Sequence, residues 1–442
     1  MTAKLLTGKF CKMYSGVFTT LLVVTVVFCK IEEDVIPVEL ENCYTKYAAD
    51  VTKNNEYVIQ TNCLQSYLVS TFGNSSVHVH GLDHRAWQWI DSLGREAHQR
   101  LKRQTRQRRV RQEIRTLTEA QRQAFFAAVN ALKYDTSVSP NKYDAFALMH
   151  QGQALPSAHG GPNFVSWHRW YLVLFENALR EKNRFVTLPY WDSRNDHTMI
   201  EPTESIIFSS LFVGNGVGRV VNGPFANWTT PTVNRRFLQR GIGLNRSSLF
   251  NDTSLVNVFS KRYNWEILSP TAQANISNLE RHHDSVHVWI GGHMSGTTTS
   301  PQDPIFWLHH CFVDYLWEMF RQNQRRMGIN PETDYPTTAL PLHQPNRIMD
   351  NLLPPKQNIE GYSDEFTNNI YVYASPPSCP YCGGSDYLQC NTTVNRCQSA
   401  AKYDIMETMN EDTSIIFRED PLQLREHEKF VAHLFDPRSA CG

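Results

Sequence analysis

The fold is decided by the stretch AHGGPNFVSWHRWYLVLFENALR, which runs from Ala158 to Arg180. It contains two histidines nine positions apart, His159 and His168, in an otherwise apolar segment. From about Ser166 onward the apolar residues recur at helical spacing, and His168 falls on their face. Because Gly160-Gly161-Pro162 interrupts a regular helix, we expect a tight turn between His159 and this helix.

A second histidine-rich segment, LERHHDSVHVWIGGHM, runs from Leu279 to Met294. His283 and His287 are four positions apart, so a helix would place both side chains on one face. His282 would point about 100° away from His283 and is not expected to share that site. The two glycines after Ile290 indicate the end of the helix.

A third segment, QDPIFWLHHCFVDYLWEMF from Gln302 to Phe320, contains the adjacent His309 and His310. Only one of two successive helix residues can face a shared site, and periodicity does not choose between them. His150 ends an earlier predicted helix on its apolar side. A single histidine on an apolar face is usually a packed core residue, but six in this arrangement indicate two groups of three metal ligands.

The residue types narrow the choice of metal. Imidazole alone suits zinc, copper, iron or nickel. Zinc is the main alternative, because His-x3-His also occurs in zinc proteases. Those proteases need a glutamate after the first histidine as a general base, and this chain has Asp284 there. Two sites of three neutral imidazoles, with no evident carboxylate ligand, favour a pair of copper ions.

The three segments together resemble the tyrosinase family of dinuclear, type 3 copper proteins, over roughly residues 110 to 345. The motif CPYCGGSDYLQC, from Cys379 to Cys390, resembles secreted tyrosinase-like proteins of molluscan mantle and shell. The resemblance implies a mainly α-helical protein, with a four-helix bundle that holds the dinuclear copper centre. We expect long loops around it and a small disulfide-rich C-terminal tail.

The resemblance also implies a role for individual residues. The expected ligands of the first copper are His150, His159 and His168, and those of the second are His283, His287 and His310. Arg169 and Asp314 are expected to form an ion pair behind the ligands, and the alternative is two unrelated surface charges.

Three positions bear on the reaction that the resemblance implies. Ser157 stands where some relatives have a cysteine bonded to the second ligand, so no such crosslink is expected. Asp284 stands where monophenol-hydroxylating members often have asparagine, which helps a nearby glutamate to hold a water. Glu280 is the candidate for that glutamate, or else a solvated helix residue. Oxidation of o-diphenols is therefore expected, while hydroxylation of monophenols stays open.

The expected function is a secreted copper oxidoreductase, a tyrosinase or catechol oxidase. It would convert o-diphenols, and in the open case also monophenols, to o-quinones with O2, for pigmentation or matrix crosslinking. The alternatives are a haemocyanin-like oxygen carrier and a non-catalytic matrix protein of the same fold. Expected partners are O2, a small phenol and extracellular matrix or shell proteins. Lys+Arg and Asp+Glu balance at 43 each, so nucleic acid is not an expected partner.

The N-terminus predicts export. An uncharged apolar stretch, Val17 to Cys29, follows Lys4, Lys9 and Lys12. It is shorter than the roughly 20 residues of a membrane-spanning helix, so a signal peptide is favoured over a short signal anchor. Six glycosylation sequons agree with export; they begin at Asn74, Asn227, Asn245, Asn251, Asn275 and Asn391.

The predicted domain boundaries follow from these features. They are a signal peptide (1–29), an N-terminal extension or pro-segment (30–109), the copper-binding domain (110–375) and a cysteine-rich tail (376–442). The second boundary rests on Arg106-Gln-Arg-Arg109, a convertase-type sequence, with a solvated basic helix face as the alternative. In an exported chain the tail cysteines favour disulfides over zinc, and Cys311 is expected to be a buried free thiol.

The remaining helix predictions are local. A capping box at Thr116–Glu119 predicts a helix behind it, and Ser139-Pro140 predicts the start of the helix that ends at His150. Further helices are expected at about 275–290 and from Pro304, capped by Asp303, to about Arg326.

Overall fold

The computed structural model describes residues 10–14, 26–30, 38–48, 63, 67, 82–102, 107–231, 236–243, 247–272, 275–403 and 405. The chain divides into two compact units, Met1–Ser70 and Thr71–Gly442. Among the described residues, no helix combines the length and hydropathy needed to cross a bilayer.

The described residues of the first unit include two antiparallel strands and a helix. They are β1 (Phe10–Tyr14), β2 (Val26–Lys30) and α1 (Val38–Ala48). A disulfide joins Cys43 to Cys63. Most of the predicted signal peptide, including residues 17–25, lies outside the described residues, so that assignment stays a prediction. The sequon residues Asn74 and Asn245, in the second unit, lie outside them as well.

Helices dominate the second unit, which confirms the predicted mainly α-helical class. The helices are α2 (His84–Leu101), α3 (Glu119–Tyr134), α4 (Lys142–Met149), α5 (Ala154–Ala158), α6 (Asn163–Lys182), α7 (Arg194–His197), α8 (Asp252–Phe259), α9 (Leu279–Ile290) and α10 (Ile305–Arg326). Among the described residues of this unit, short strands pair in three places: β3 (Arg109–Arg111) with β6 (Tyr371–Tyr373), β4 (Val217–Arg219) with β5 (Gln239–Gly241), and β7 (Leu388–Asn391) with β8 (Arg396–Ser399).

Helix α6 is the centre of the core. Every residue from Asn163 to Leu179 is buried, as expected for a helix that is apolar on most of its circumference. Its Phe175 ring stacks on Trp307 of α10 with centroids 3.6 Å apart. On another side, the Asn177 amide donates to the Leu93 carbonyl of α2 at 2.9 Å. Helices from distant parts of the sequence thus share one hydrophobic core.

Helix boundaries differ from the sequence predictions by a few residues. Thr118, rather than Thr116, caps α3. Its side chain accepts from the Gln121 N–H, and the Gln121 side chain accepts in turn from the Thr118 N–H. Helix α4 begins after Asn141, whose side chain accepts from Asp144 N–H. Helix α6 begins directly after Pro162. Local hydrogen bonds decide these ends, and periodicity does not resolve them.

The C-terminal region confirms the preference for disulfides. Cys379 pairs with Cys390 and Cys382 with Cys397, which ties the β7–β8 hairpin to the turn before it. Cys311 is a buried free thiol among the described residues, as predicted. Cys441 lies outside the described residues.

The predicted cleavage site lies within strand β3, in which Arg109 and Arg111 are buried and Val110 is exposed. Arg109 is the first residue of β3, which runs parallel to β6. It is 4 % exposed, and its guanidinium donates to Glu176 at 3.1 Å. Arg106 lies outside the described residues. Arg109 is therefore not part of a solvated basic helix face, and cleavage after it stays a prediction.

Candidate metal centre

The first group of histidines comes from the ends of two short helices and from α6. His150 and His159 follow the last residues of α4 and α5, and His168 lies one turn into α6. The Nε2 atoms of His150 and His168 are 3.2 Å apart. One nitrogen from each of the three rings lies within 4.8 Å of the others. The turn predicted at the glycines, where Gly160 has a φ of 75°, is what brings His159 back to the helix.

The second group comes from the two long helices α9 and α10. Nε2 of His283 lies 2.9 Å from that of His287 and 3.0 Å from that of His310, and the last two are 3.1 Å apart. Three bonds of about 2 Å to one metal ion require nitrogens roughly 3 Å apart. The structure therefore brings together the three histidines expected at the second copper.

The structure distinguishes His310 from its neighbour. A nitrogen of His309 also lies within 4.8 Å of nitrogens of His283 and His287. However, Nε2 of His309 faces the His283 carbonyl oxygen at 3.2 Å, so it is occupied as a donor. Since Nε2 of His310 lies 3.0 and 3.1 Å from Nε2 of His283 and His287, the geometry favours His310 for the second group. His282 points away, with Nε2 3.0 Å from the Ile276 carbonyl.

The hydrogen bonds of the rings fix which nitrogen is free. Nδ1 of His150, His159 and His168 lies 2.8 to 3.0 Å from the carbonyls of Thr297, Leu155 and Phe164. Nδ1 of His287 is 2.9 Å from the Met294 carbonyl, and Nδ1 of His283 is 3.0 Å from the Asp284 carboxylate. A carbonyl or carboxylate can only accept, so each Nδ1 carries the proton and each Nε2 presents a lone pair.

Burial keeps these rings neutral. The pKa values of all six histidines are lowered, chiefly by desolvation, and that of His287 falls to about 4. Lone pairs of neutral imidazoles about 3 Å apart repel one another unless a cation lies between them. The donor set therefore fits two soft or borderline metal ions, each with three nitrogen ligands.

The two groups adjoin each other. The rings of His168 and His310 stack with centroids 4.4 Å apart. Phe164 and Phe306 each precede one of these histidines by one helical turn and pack on it, at 5.0 and 4.0 Å. Neither phenylalanine was expected at the site from the sequence, although the spacing of four on a helix was a usable signal.

The ion pair expected behind the ligands is present as a contact. The Arg169 guanidinium donates to Asp314 at 2.7 Å, with both side chains buried. Asp314 also accepts from the hydroxyls of Tyr371 and Tyr373, each at 2.6 Å. Burial raises the pKa of Asp314, but Arg169 and Arg111 more than offset this and lower it overall. The alternative of two unrelated surface charges does not describe these residues.

Glu280 and Asp284 occupy different environments. Glu280 is buried and accepts from the Gly160 N–H at 2.7 Å, next to His159, so it is not a solvated helix residue. Desolvation and then Asp284 raise its pKa well above the usual range. The Asp284 side chain is 61 % exposed, and partial desolvation at its place beside His283 raises its pKa. Ser157 is buried and donates to the Ala154 carbonyl at 3.3 Å.

The chain matches known proteins over most of its length. The common central domain of tyrosinase matches residues 140–323. A tyrosinase-like protein of Pinctada maxima is 34 % identical over 411 residues, which cover 88 % of this chain and 89 % of that one. A tyrosinase of Streptomyces antibioticus is 34 % identical over 246 residues, 50 % of this chain and 85 % of that one. Among solved structures, a polyphenol oxidase of Thermothelomyces thermophila shares the fold, with a TM-score of 0.50 and 20 % identity over 66 % of this chain and 97 % of that one.

Proposed function

The chain belongs to the tyrosinase family of copper proteins, and on this premise we propose that it is a phenol oxidase that converts o-diphenols to o-quinones with O2. The observation that carries the proposal is the pair of adjoining histidine groups, joined by the stacked rings of His168 and His310. We assign His150, His159 and His168 to one copper ion and His283, His287 and His310 to the other.

The protein side of the reaction follows from the contacts. Two bound copper ions would supply the transfer of electrons from the phenol to O2. The backbone carbonyls hold the imidazoles in one orientation, so little reorganisation accompanies a change in the charge of the metals. Phe164 and Phe306 pack on both groups and limit access of water.

The exposed side of the site indicates where a phenol arrives. His159 and His287 are partly exposed, whereas His168, His283 and His310 are buried. The exposed Asp284 carboxylate lies on the same helix as His287. We infer that the aromatic ring of the substrate enters from the side of the site at which His159, Asp284 and His287 are at least partly exposed.

Asp284 favours o-diphenols over monophenols as substrates. A carboxylate at this position cannot donate a hydrogen bond, whereas an amide can. Together with the buried Glu280, an amide could hold a water that removes the phenol proton. With Asp284 in place we expect efficient oxidation of catechols and weak hydroxylation of monophenols.

The proposal is tested with the copper-loaded protein, dopa and tyrosine. We expect two copper ions per chain, the near-ultraviolet band that O2 produces at coupled copper pairs, and quinone from dopa. Quinone from both compounds at similar rates would indicate a tyrosinase. Reversible oxygenation without quinone would indicate an oxygen carrier, and fewer than two ions without the band would contradict the proposal. His287→Asn provides the control, because it should bind one ion and lose activity.

We further propose that the protein is exported and glycosylated, and that its quinones serve pigmentation or matrix crosslinking. Among the sequons, Asn227 is exposed. Asn251 caps α8 through a bond from Ser254 N–H at 2.8 Å, and the Asn391 amide donates to Gln398 at 3.0 Å. The Asn227 side-chain oxygen also accepts a hydrogen bond, from Arg219 at 3.0 Å, but Asn227 is the most exposed of the three and is therefore the preferred acceptor. Intact mass before and after glycosidase treatment, for wild type and Asn227→Gln, tests export and site use together.

A further inference from the structure

A segment after α10 reaches back over the first histidine group. We call residues 335–362 the strap. It begins beyond the part of the chain that matches the tyrosinase domain, which ends at residue 323. It contains a short turn of helix at Pro341–His343 and another at Asn358–Tyr362. Its hydrogen bonds reach the segments that carry His150, His159 and His168.

His343 is the central contact of the strap. The ring is fully buried, and its Nε2 lies 3.0 Å from the Pro156 carbonyl, so Nε2 is the donor. Its Nδ1 accepts the Asn163 N–H at 3.3 Å. One neutral imidazole thus bridges the two ends of the loop that carries His159. The contact is close, because a methyl group on Gly161 would lie 2.5 Å from the His343 ring.

Asn351 holds the backbone on both sides of His150, the neighbouring histidine of the first group. Its amide nitrogen donates to the Met149 carbonyl at 2.9 Å and to the Gln151 carbonyl at 2.8 Å. These are the residues immediately before and after His150. The backbone conformation at His150 therefore depends on a side chain from a distant part of the sequence.

The start of α6 is held in the same way. The Tyr362 hydroxyl donates to the Pro162 carbonyl at 2.9 Å. The Ser166 hydroxyl donates to the Asn358 carbonyl. Both contacts lie within one or two helical turns before His168. The strap therefore contacts all three segments that carry the first histidine group.

The two groups differ in how their own helices support them. His283 and His287 are one turn apart on α9, and His310 lies inside the 22-residue α10. Each of these three histidines therefore lies within a helix of at least 12 residues. In the first group only His168 lies within a long helix, while His150 and His159 lie at the ends of helices of eight and five residues. Their positions need support from elsewhere.

We propose that His343 is a positioning residue for the first copper ion, and that it sets the retention of this ion without affecting the second. The proposal rests on the copper ligands assigned under the proposed function. Changes behind metal ligands commonly lower metal affinity about 10- to 100-fold. We expect His343→Leu, which keeps the bulk and removes the hydrogen bonds to Pro156 and Asn163, to lose one ion selectively.

The experiment loads wild type and His343→Leu with copper and follows its loss to a chelator. In wild type we expect two ions and little electron paramagnetic resonance signal, since coupled Cu(II) ions are silent. In His343→Leu we expect one ion to leave about 10- to 100-fold faster. The remaining lone Cu(II) should give the spectrum of His168→Asn, which lacks a first-group ligand, and not that of His287→Asn.

Two variants control for folding and for the removal of any buried histidine. His343→Asn keeps an acceptor for the Asn163 N–H and should retain the first ion better than His343→Leu. His293→Leu removes another buried histidine, whose Nδ1 accepts the Gln239 N–H at 3.1 Å away from the strap, and it should not release the first ion.

Three results would overturn the inference. They are wild-type copper release from His343→Leu, equal loss of both ions at unchanged near-ultraviolet circular dichroism, and release of the first ion from His293→Leu. A wild-type protein that fails to bind two ions would instead contradict the proposed function.

Discussion

At the scale of the residue, the candidate centre depends on the second nitrogen of each imidazole. Five of the six expected ligands have Nδ1 directed at a carbonyl or carboxylate oxygen. This leaves Nε2 as the donor atom in each case and selects one tautomer. Residue type and helical spacing identify the histidines, but their hydrogen bonds decide what they can bind.

The buried Asp314 gives a prediction about stability. Asp314→Asn removes an anion that faces Arg169 at 2.7 Å and Arg111 at 3.5 Å. Because it leaves buried positive charge poorly compensated, we expect the free energy of unfolding to fall by about 3–5 kcal/mol. Urea unfolding of the copper-free protein measures this.

Asp91→Asn is the control for this prediction, since its partner Arg95 is 72 % exposed and the loss should stay within about 0.5 kcal/mol. Equal losses would contradict the role of the network.

Asp284 gives a prediction about substrate preference. Asp284→Asn keeps an acceptor for Nδ1 of His283, which is 3.0 Å away, and adds a donor beside the site. We expect the rate with tyrosine relative to dopa to rise roughly tenfold, a modest share of what a positioned base can supply. Steady-state rates with both compounds measure the ratio. A ratio that does not change, at unchanged copper content, would remove Asp284 from substrate selection.

At the scale of the element, the end of α9 is held against β5 by two glycines. Gly291 and Gly292 have φ values of 67° and 57°. A methyl group on Gly292 would overlap the Gln239 carbonyl oxygen of β5. The glycine pair was expected to end the helix, but its close contact with a strand much earlier in the chain was not visible in the sequence.

Gly292→Ala tests this contact against a matched position. Gly218 also has a positive φ, 72°, but a methyl group there would meet nothing within 4 Å. Both alanine variants carry the cost of a side chain at positive φ, about 1–2 kcal/mol, and only Gly292→Ala adds the overlap. We expect Gly292→Ala to be less stable than Gly218→Ala by roughly 1–3 kcal/mol and to retain the second copper less well. Thermal unfolding and copper content measure both effects, and similar values for the two variants would argue against the contact.

At the scale of the whole molecule, residues before the predicted cleavage site belong to the core. Helix α2 buries Ile90, Leu93 and Ala97, and its Gly94 lies directly against the Leu353 carbonyl. Arg109 begins β3 and pairs with Tyr371. A protease that cuts after Arg109 must first separate this strand.

We therefore expect the folded protein to resist a convertase specific for Arg-x-Arg-Arg. A synthetic peptide of residues 100–115, and the protein in denaturant that the protease tolerates, should be cut after Arg109. Intact-mass measurement over time shows this directly. Rapid cleavage of the folded protein at the rate of the peptide would mean that β3 opens readily and that residues 30–109 act as a removable segment.

The buried histidines give a prediction about pH. In the folded, copper-free protein the pKa of His287 and that of His343 are about 4, against about 6.5 when unfolded. Between these values the unfolded chain binds more protons, so the free energy of unfolding falls as the pH drops from about 6.5 to about 4. Each such histidine contributes a slope of up to about 1.4 kcal/mol per pH unit. Urea unfolding over this range checks the prediction, with His343→Leu giving a shallower slope, and a flat profile would contradict it.

The sequence by itself determined the mainly helical class, the histidine groups and the resemblance to copper proteins. These depend on short spacings, such as the one helical turn between His283 and His287. On a helix, such a spacing places both side chains on the same face. Only the tertiary structure placed Nε2 of His310 about 3 Å from those of His283 and His287 and brought His343 to the loop of His159. The reason is physical: the strap bonds to backbone carbonyls and amides, which nearly every residue possesses, so these contacts leave no pattern of side chains in the sequence.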